Sequence, residues 1–150
     1  MNLIQNSTVL IVGIASSIGF AKAIVESVFR KNPFGYVWHI YNFTGAYVWA
    51  DQVVFGIFWS IACLISLILN DWIFFLLIFS VFWVVRSFGE TVYWLNQQFS
   101  PRNLNPTERF WLHKLFPGES VWFVYQIMQQ CILVISIISS IYFSKLWLLQ

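Results

Sequence analysis

Two stretches of the chain set a base and an acid four residues apart within long apolar runs. Lys22 and Glu26 lie in KAIVESVF, and Arg86 and Glu90 lie in RSFGETVY. Ionisable groups inside apolar segments are costly and tend to mark binding sites, ion paths or proton relays. Helical spacing of four stacks each pair on one face. A later apolar run adds three amides, Gln126, Gln129 and Gln130, which the spacing puts on one face as well. The candidate polar cluster is therefore Arg86, Glu90, Lys22, Glu26, Gln126, Gln129 and Gln130. In one reading the basic residues attract anions, or the glutamates pass cations or protons. In the other, the pairs neutralise themselves, the long basic arms reach toward headgroups, and the glutamines bond across helices.

Other chemistry has less to stand on. His39 and His113 each follow a Trp closely, but no carboxylate supports them nearby in sequence, so they read as interfacial residues. Cys63 and Cys131 fall inside apolar runs with no CxxC and no Cys/His ligand spacing, and read as apolar filler. No nucleophile–base arrangement, phosphate-binding glycine loop or metalloprotease motif occurs. Neither metal nor cofactor is expected, and the pattern leans away from an enzyme. Ala15, Gly19, Ala23 and Ser27, four apart, read as a small-residue packing seam.

The elements that must position these residues are membrane spans. Hydrophobic residues make up 59% of the 150-residue chain and charged ones 9%, against about 25% charged in a soluble domain. So few charges cannot cover a water-facing surface, and the bilayer must be part of the solvent. Aromatics reach 21%, including nine Trp, as suits interfaces where a ring is apolar at one end and hydrogen-bonds at the other. A span needs roughly 20 apolar residues. Four segments qualify, at about 8–29, 53–69, 72–92 and within 121–143. Only Asn70 and Asp71 separate the second from the third, which predicts a tight antiparallel hairpin. The first run lacks the basic residues that precede a signal peptide's apolar core, so it reads as a retained span.

Lys and Arg set orientation. Arg30, Lys31, Arg102, Arg109 and Lys114 lie in the two long connections, against Lys145 alone on the other side. This puts both connections in the cytoplasm and both termini outside, in an integral protein of the cell (inner) membrane. A net charge of +2 without a basic run excludes nucleic acid as a partner. The expected partners are the lipid bilayer and either further copies of the chain or other membrane subunits.

The chain also repeats itself. Residues 32–49 and 105–122 share Asn-Pro-x4-Trp-x4-Phe-x-Gly-x2-Val-Trp without gaps, seven identities. The two charged stretches match upstream, as basic-x3-Glu-hydroxyl-Val-aromatic. A more visible match, Val-Tyr-x3-Gln-Gln at 92 and 124, joins spans running in opposite directions and is not a structural equivalence. Asn-Pro suits a helix start and Gly a helix end, so each connection is expected to hold a short helix lying in the inner headgroup plane. A re-entrant segment is the alternative for the very apolar residues 34–50.

The expected fold is thus an all-α integral membrane protein. It is a four-transmembrane-helix bundle in one domain, 1–150, built as two tandem helical hairpins, 8–70 and 72–144, with short inner-face interfacial helices. The expected function is a small transporter or channel subunit handling a solute or ion through the inner-half polar cluster. The other class is a non-catalytic scaffold or accessory subunit of a larger membrane complex.

Overall fold

A computed structural model describes residues 1–35, 47–99 and 111–150. The described chain is all α. Helix α1, Leu3–Ile24, widens over its last turn into a π-helix, Val25–Phe29; α2 is Trp49–Leu69, α3 Trp72–Phe99 and α4 Ser120–Leu148. Each is long and apolar enough to cross a bilayer. The expected fold class thus holds at the level of four long apolar helices, as in a four-helix transmembrane bundle. The helices outrun the apolar segments at most ends. α3 runs on through Asn96, Gln97 and Gln98 to Phe99, because polar residues end an apolar stretch without ending a helix.

Burial is inverted relative to a water-soluble domain. Ser66, Ser80, Ser87, Glu90, Gln97, Gln129 and Ser136 are buried, while Ile, Leu, Val and Phe fill the exposed faces. In hydrocarbon the apolar side chains lose nothing by facing out, whereas a polar group left there loses its hydrogen bonds.

The chain divides into two compact units. The first contains α1, α2, the start of α3 and the end of α4. Its α1–α2 seam is built on small residues. A Cβ added at Gly13 would stand 3.1 Å from the Cβ of Cys63, and one at Gly56 would stand 2.8 Å from the Cβ of Phe20 and 3.0 Å from its Cα. The Ser17 and Ser60 hydroxyls meet at 2.9 Å. Ala23 and Trp49 are buried together further along. The seam follows Val9, Gly13, Phe20 and Ala23 and takes in Gly19 of the expected stripe, where an added Cβ would meet the Gln52 side chain, whereas Ala15 is exposed. A strict four-residue stripe winds around a helix of 3.6 residues per turn; contact between two helices needs a mean spacing nearer 3.5.

The turn between α2 and α3 is sharply defined. Asn70 takes the left-handed conformation, φ 51° and ψ 38°, and the Asp71 N–H returns to the Ser66 carbonyl at 3.2 Å, as in a Schellman closure. Asp71 then caps α3, its Oδ1 accepting from the Phe74 N–H at 3.0 Å. Its Oδ2 accepts from Trp147 Nε1 at 2.9 Å, tying down the end of α4. At the other end of α2, the Trp49 and Ala50 N–H groups donate to the carbonyls of Gly35 and Pro33 at 3.0 and 2.9 Å. The Asn32–Gly35 turn thereby satisfies donors that a helix start leaves open.

The second unit contains α3 from Ser80 and α4 up to Ile141. Its core is Trp94, Leu112, Val121, Trp122 and Tyr125. Leu112 comes from a single 3₁₀ turn, Trp111–Lys114. The expected interfacial helices fall mainly on 36–46 and 100–110, which lie outside the described residues, as does His39.

Gly56 and Gly89 give opposite expectations. Nothing stands within 4 Å of a Cβ added at Gly89. Gly56→Leu should lower the thermal stability of the detergent-solubilised protein through overpacking, by about 1–3 kcal/mol. Gly89→Ala should hold or raise it, by up to about 1 kcal/mol of helix propensity. Size-exclusion yield and a fluorescence melt check both.

Candidate functional site: the polar face of the second unit

Within the second unit, the buried face of α3 reads Ser80, Ser87, Glu90, Trp94, Gln97. These positions recur at intervals of three, four and seven residues, one stripe of a helix, and apart from Trp94 they are all polar. The buried face of α4 reads Val121, Trp122, Tyr125, Gln129, Ser136. An apolar stripe would have been the ordinary solution for a packed core.

Arg86 and Glu90 form the ion pair that their spacing implies, through Arg86 Nη2 and Glu90 Oε1; the side chains are 16% and 5% exposed. The other carboxylate oxygen accepts from Trp94 Nε1 at 2.8 Å. Glu90 is therefore held by two donors from its own helix, one turn before and one turn after. Trp94, fully buried, stacks on Tyr125 of α4 at 4.8 Å and 19°. Tyr93 meets it edge-on at 5.0 Å. The charge pair is thus coupled through one indole to the aromatic core. Nearby, Gln98 Nε2 donates to Gln126 Oε1 at 2.6 Å, bridging α3 and α4.

Other polar atoms of this unit are left open. Ser87 Oγ, Gln97 Oε1, His113 Nδ1 and Trp122 Nε1 are buried and bond nothing among the described residues. Ser87, like Ser27 of the first unit, differs from span hydroxyls that donate back one turn: Ser66 to the Ala62 carbonyl, Thr91 to that of Ser87 and Ser140 to that of Ser136, each at 2.8 Å. Buried polar groups are nearly always paired, so this grouping of open ones calls for an account.

The expected site residues are distributed as follows. Arg86, Glu90, Gln126 and Gln129 belong to the polar face of the second unit. Gln130 is exposed on α4. One residue on from Gln129 is a rotation of about 100°, which carries it off the buried face. Lys22 and Glu26 lie in the first unit. Their spacing suggests a pair, but Glu26 Oε1 bonds Arg30 Nη1 at 2.8 Å, and Lys22 Nζ stands 5.2 Å over the Trp49 ring. An acid midway between two bases can turn either way. Here the π-helical turn presents it to Arg30, and the aromatic ring gives Lys22 another seat.

Sequence reasoning missed Ser87, Trp94, Gln97 and Trp122. A signal existed in the recurrence of Ser80, Ser87, Glu90, Trp94 and Gln97 along one helical face, which a search for charges passes over. Fold and site together define a four-helix polytopic membrane protein with a polar, aromatic-lined interior face. The chain matches no known protein family, no curated protein and no solved structure.

The pair's environment sets the cost of breaking it. Arg86→Leu should strand the Glu90 carboxylate and destabilise the protein by about 3–5 kcal/mol, as for other broken buried pairs. Adding Glu90→Gln should recover most of that loss, since the amide oxygen still accepts from Trp94 without a charge. Thermal melts of both single variants and the double variant in detergent measure the recovery; a double variant as unstable as Arg86→Leu would show that the charge is not what matters.

Proposed function

We propose that this chain is a subunit of a small membrane transporter or channel, working with further copies or other membrane subunits, and that it handles a small solute or ion along the polar face of its second unit. The observation that carries this reading is the set of open, buried hydrogen-bonding atoms: Ser87 Oγ, Gln97 Oε1 and Trp122 Nε1. Each costs free energy when buried away from water unless something bonds it. A purely structural interior would have paired them or replaced them with apolar groups. Glu90 already matches Arg86, so the open groups are neutral donors and acceptors. That favours a small neutral hydrogen-bonding solute over a bare ion.

The scaffold reading has its own support. Arg86, Glu90 and Trp94 satisfy one another along a single helix, a closure that needs no ligand. Reconstitution into liposomes separates the two. Stopped-flow light scattering with glycerol and urea should show faster solute entry than into empty vesicles. Gln97→Leu and Trp122→Phe should each slow it by about two- to tenfold, the worth of one hydrogen bond. Entry no faster than into empty vesicles, for these solutes and for K⁺ and H⁺ leak, would leave the scaffold role.

The same reading keeps the long connections cytoplasmic and the Asn70–Asp71 turn outside, and treats 8–70 and 72–144 as a duplication. Trp49 and Trp122, paired by the repeat, both stand in the first turn of a span and are both buried, which supports that view. Cysteines placed at Leu69 and at Lys114 test the orientation. In intact cells an impermeant maleimide should label the first and not the second; the reverse pattern would invert the topology.

A further inference from the structure

Gln130 is the polar residue left without a role by the interior site. It sits in α4, about 15 Å from the helix start at 1.5 Å per residue, well inside a hydrocarbon core about 30 Å thick. It is exposed and forms no hydrogen bond among the described residues. Phe123, Ile127, Val134, Ile137 and Ile141 lie along the same side, within a broader exposed surface of α4 that also holds Cys131, Ile135, Ile138 and Tyr142. With Gln130 included, the intervals are four, three, four, three and four. Two helices in knobs-into-holes contact use this spacing, and here one set of positions is β-branched while the other holds a single polar residue. Lipid tails cannot bond an amide.

We propose that this face of α4 is a homodimer seam, in which α4 of a second copy packs in parallel and the two Gln130 side chains hydrogen-bond across the two-fold axis. The occupant follows from the chemistry of the amide. A carboxamide carries both donors and an acceptor, so it is complementary to itself, and a like residue facing it satisfies both amides at once. Copies inserted in one orientation and related by a two-fold axis along the membrane normal must present parallel α4 helices, with equal residues opposite each other. Interhelical amide bonds of this kind hold transmembrane helices together, and one polar residue in an apolar seam sets its register. The seam deepens the expectation that the chain works with further copies, yet it stands whether or not the interior face handles a solute.

The test is disulfide scanning of native membranes. Cys131 is changed to Ser, and Cys63, buried against α1, stays as an internal control. Single cysteines are then placed from 123 to 141 and oxidised with copper phenanthroline. Dimer bands should peak at 127, 130, 134, 137 and 141 and be absent at 125, 129, 132 and 136. Uniform absence would mean that lipid covers this face, and peaks in another phase would place the interface elsewhere; either result overturns the seam. A monomer-sized adduct with another protein in the expected phase overturns the homodimer. In reconstituted bilayers, Gln130→Leu should raise the dimer dissociation constant about three- to thirtyfold, the range for one interhelical bond, while Gln130→Asn should lose less. Both variants should keep their helical content, because Gln130 contributes nothing to the interior. An unchanged dissociation constant in Gln130→Leu would remove the amide pair from the interface.

Discussion

A bilayer interior supplies no hydrogen bonds, and almost every local choice in this chain answers to that fact. Span hydroxyls turn back on their own helices: Thr8 to the Ile4 carbonyl, Ser17 to Gly13, Ser60 to Gly56 and Ser66 to Ala62. Helix ends are closed before they meet lipid. Asp71 caps α3, the Asn32–Gly35 turn closes the start of α2, and the Asp51 carboxylate reaches the Val48 N–H at 3.3 Å. The charged pair in the second unit obeys the same demand. Both oxygens of Glu90 are engaged from within α3, by Arg86 on one side and the Trp94 indole on the other.

That demand also explains which parts of the fold were legible in the sequence. The spans were legible because hydropathy and length are direct consequences of bilayer thickness. The Asn70–Asp71 turn was legible because two residues leave room for one closure, and asparagine tolerates the left-handed conformation it needs. Span ends were not. α3 and α4 continue past their apolar stretches because helix geometry depends on backbone bonds, which persist where polar side chains leave the membrane. The α1–α2 seam was half legible: Gly19 and Ala23 were expected there, but Val9, Gly13 and the Ser17–Ser60 contact belong to a second row that a single stripe leaves out.

The candidate site shows the same division. Arg86 and Glu90 could be read directly, because one acid and one base at helical spacing leave one partner each. Glu26 could not, because Lys22 and Arg30 stand at equal distance in sequence and the choice falls to the π-helical turn and the Trp49 ring. Gln126, Gln129 and Gln130 looked alike as letters. Their separation into interior and exterior depends on a rotation that is visible only once the buried side of α4 is known.

Charge is therefore a poor guide to where this protein meets something else. The most conspicuous residues, Arg86 and Glu90, are the most completely satisfied. The informative groups are neutral and unremarkable in sequence. They are the serine hydroxyl that does not fold back on its helix, the glutamine oxygen and indole N–H buried without a partner, and the one amide on an apolar outer face. In water such groups would carry no message, because solvent completes any open valence. In hydrocarbon an open valence must be closed by another part of the chain, by a solute or by another chain. Where the chain itself does not close it, the solute proposed for the second unit and the second copy proposed along α4 would do so.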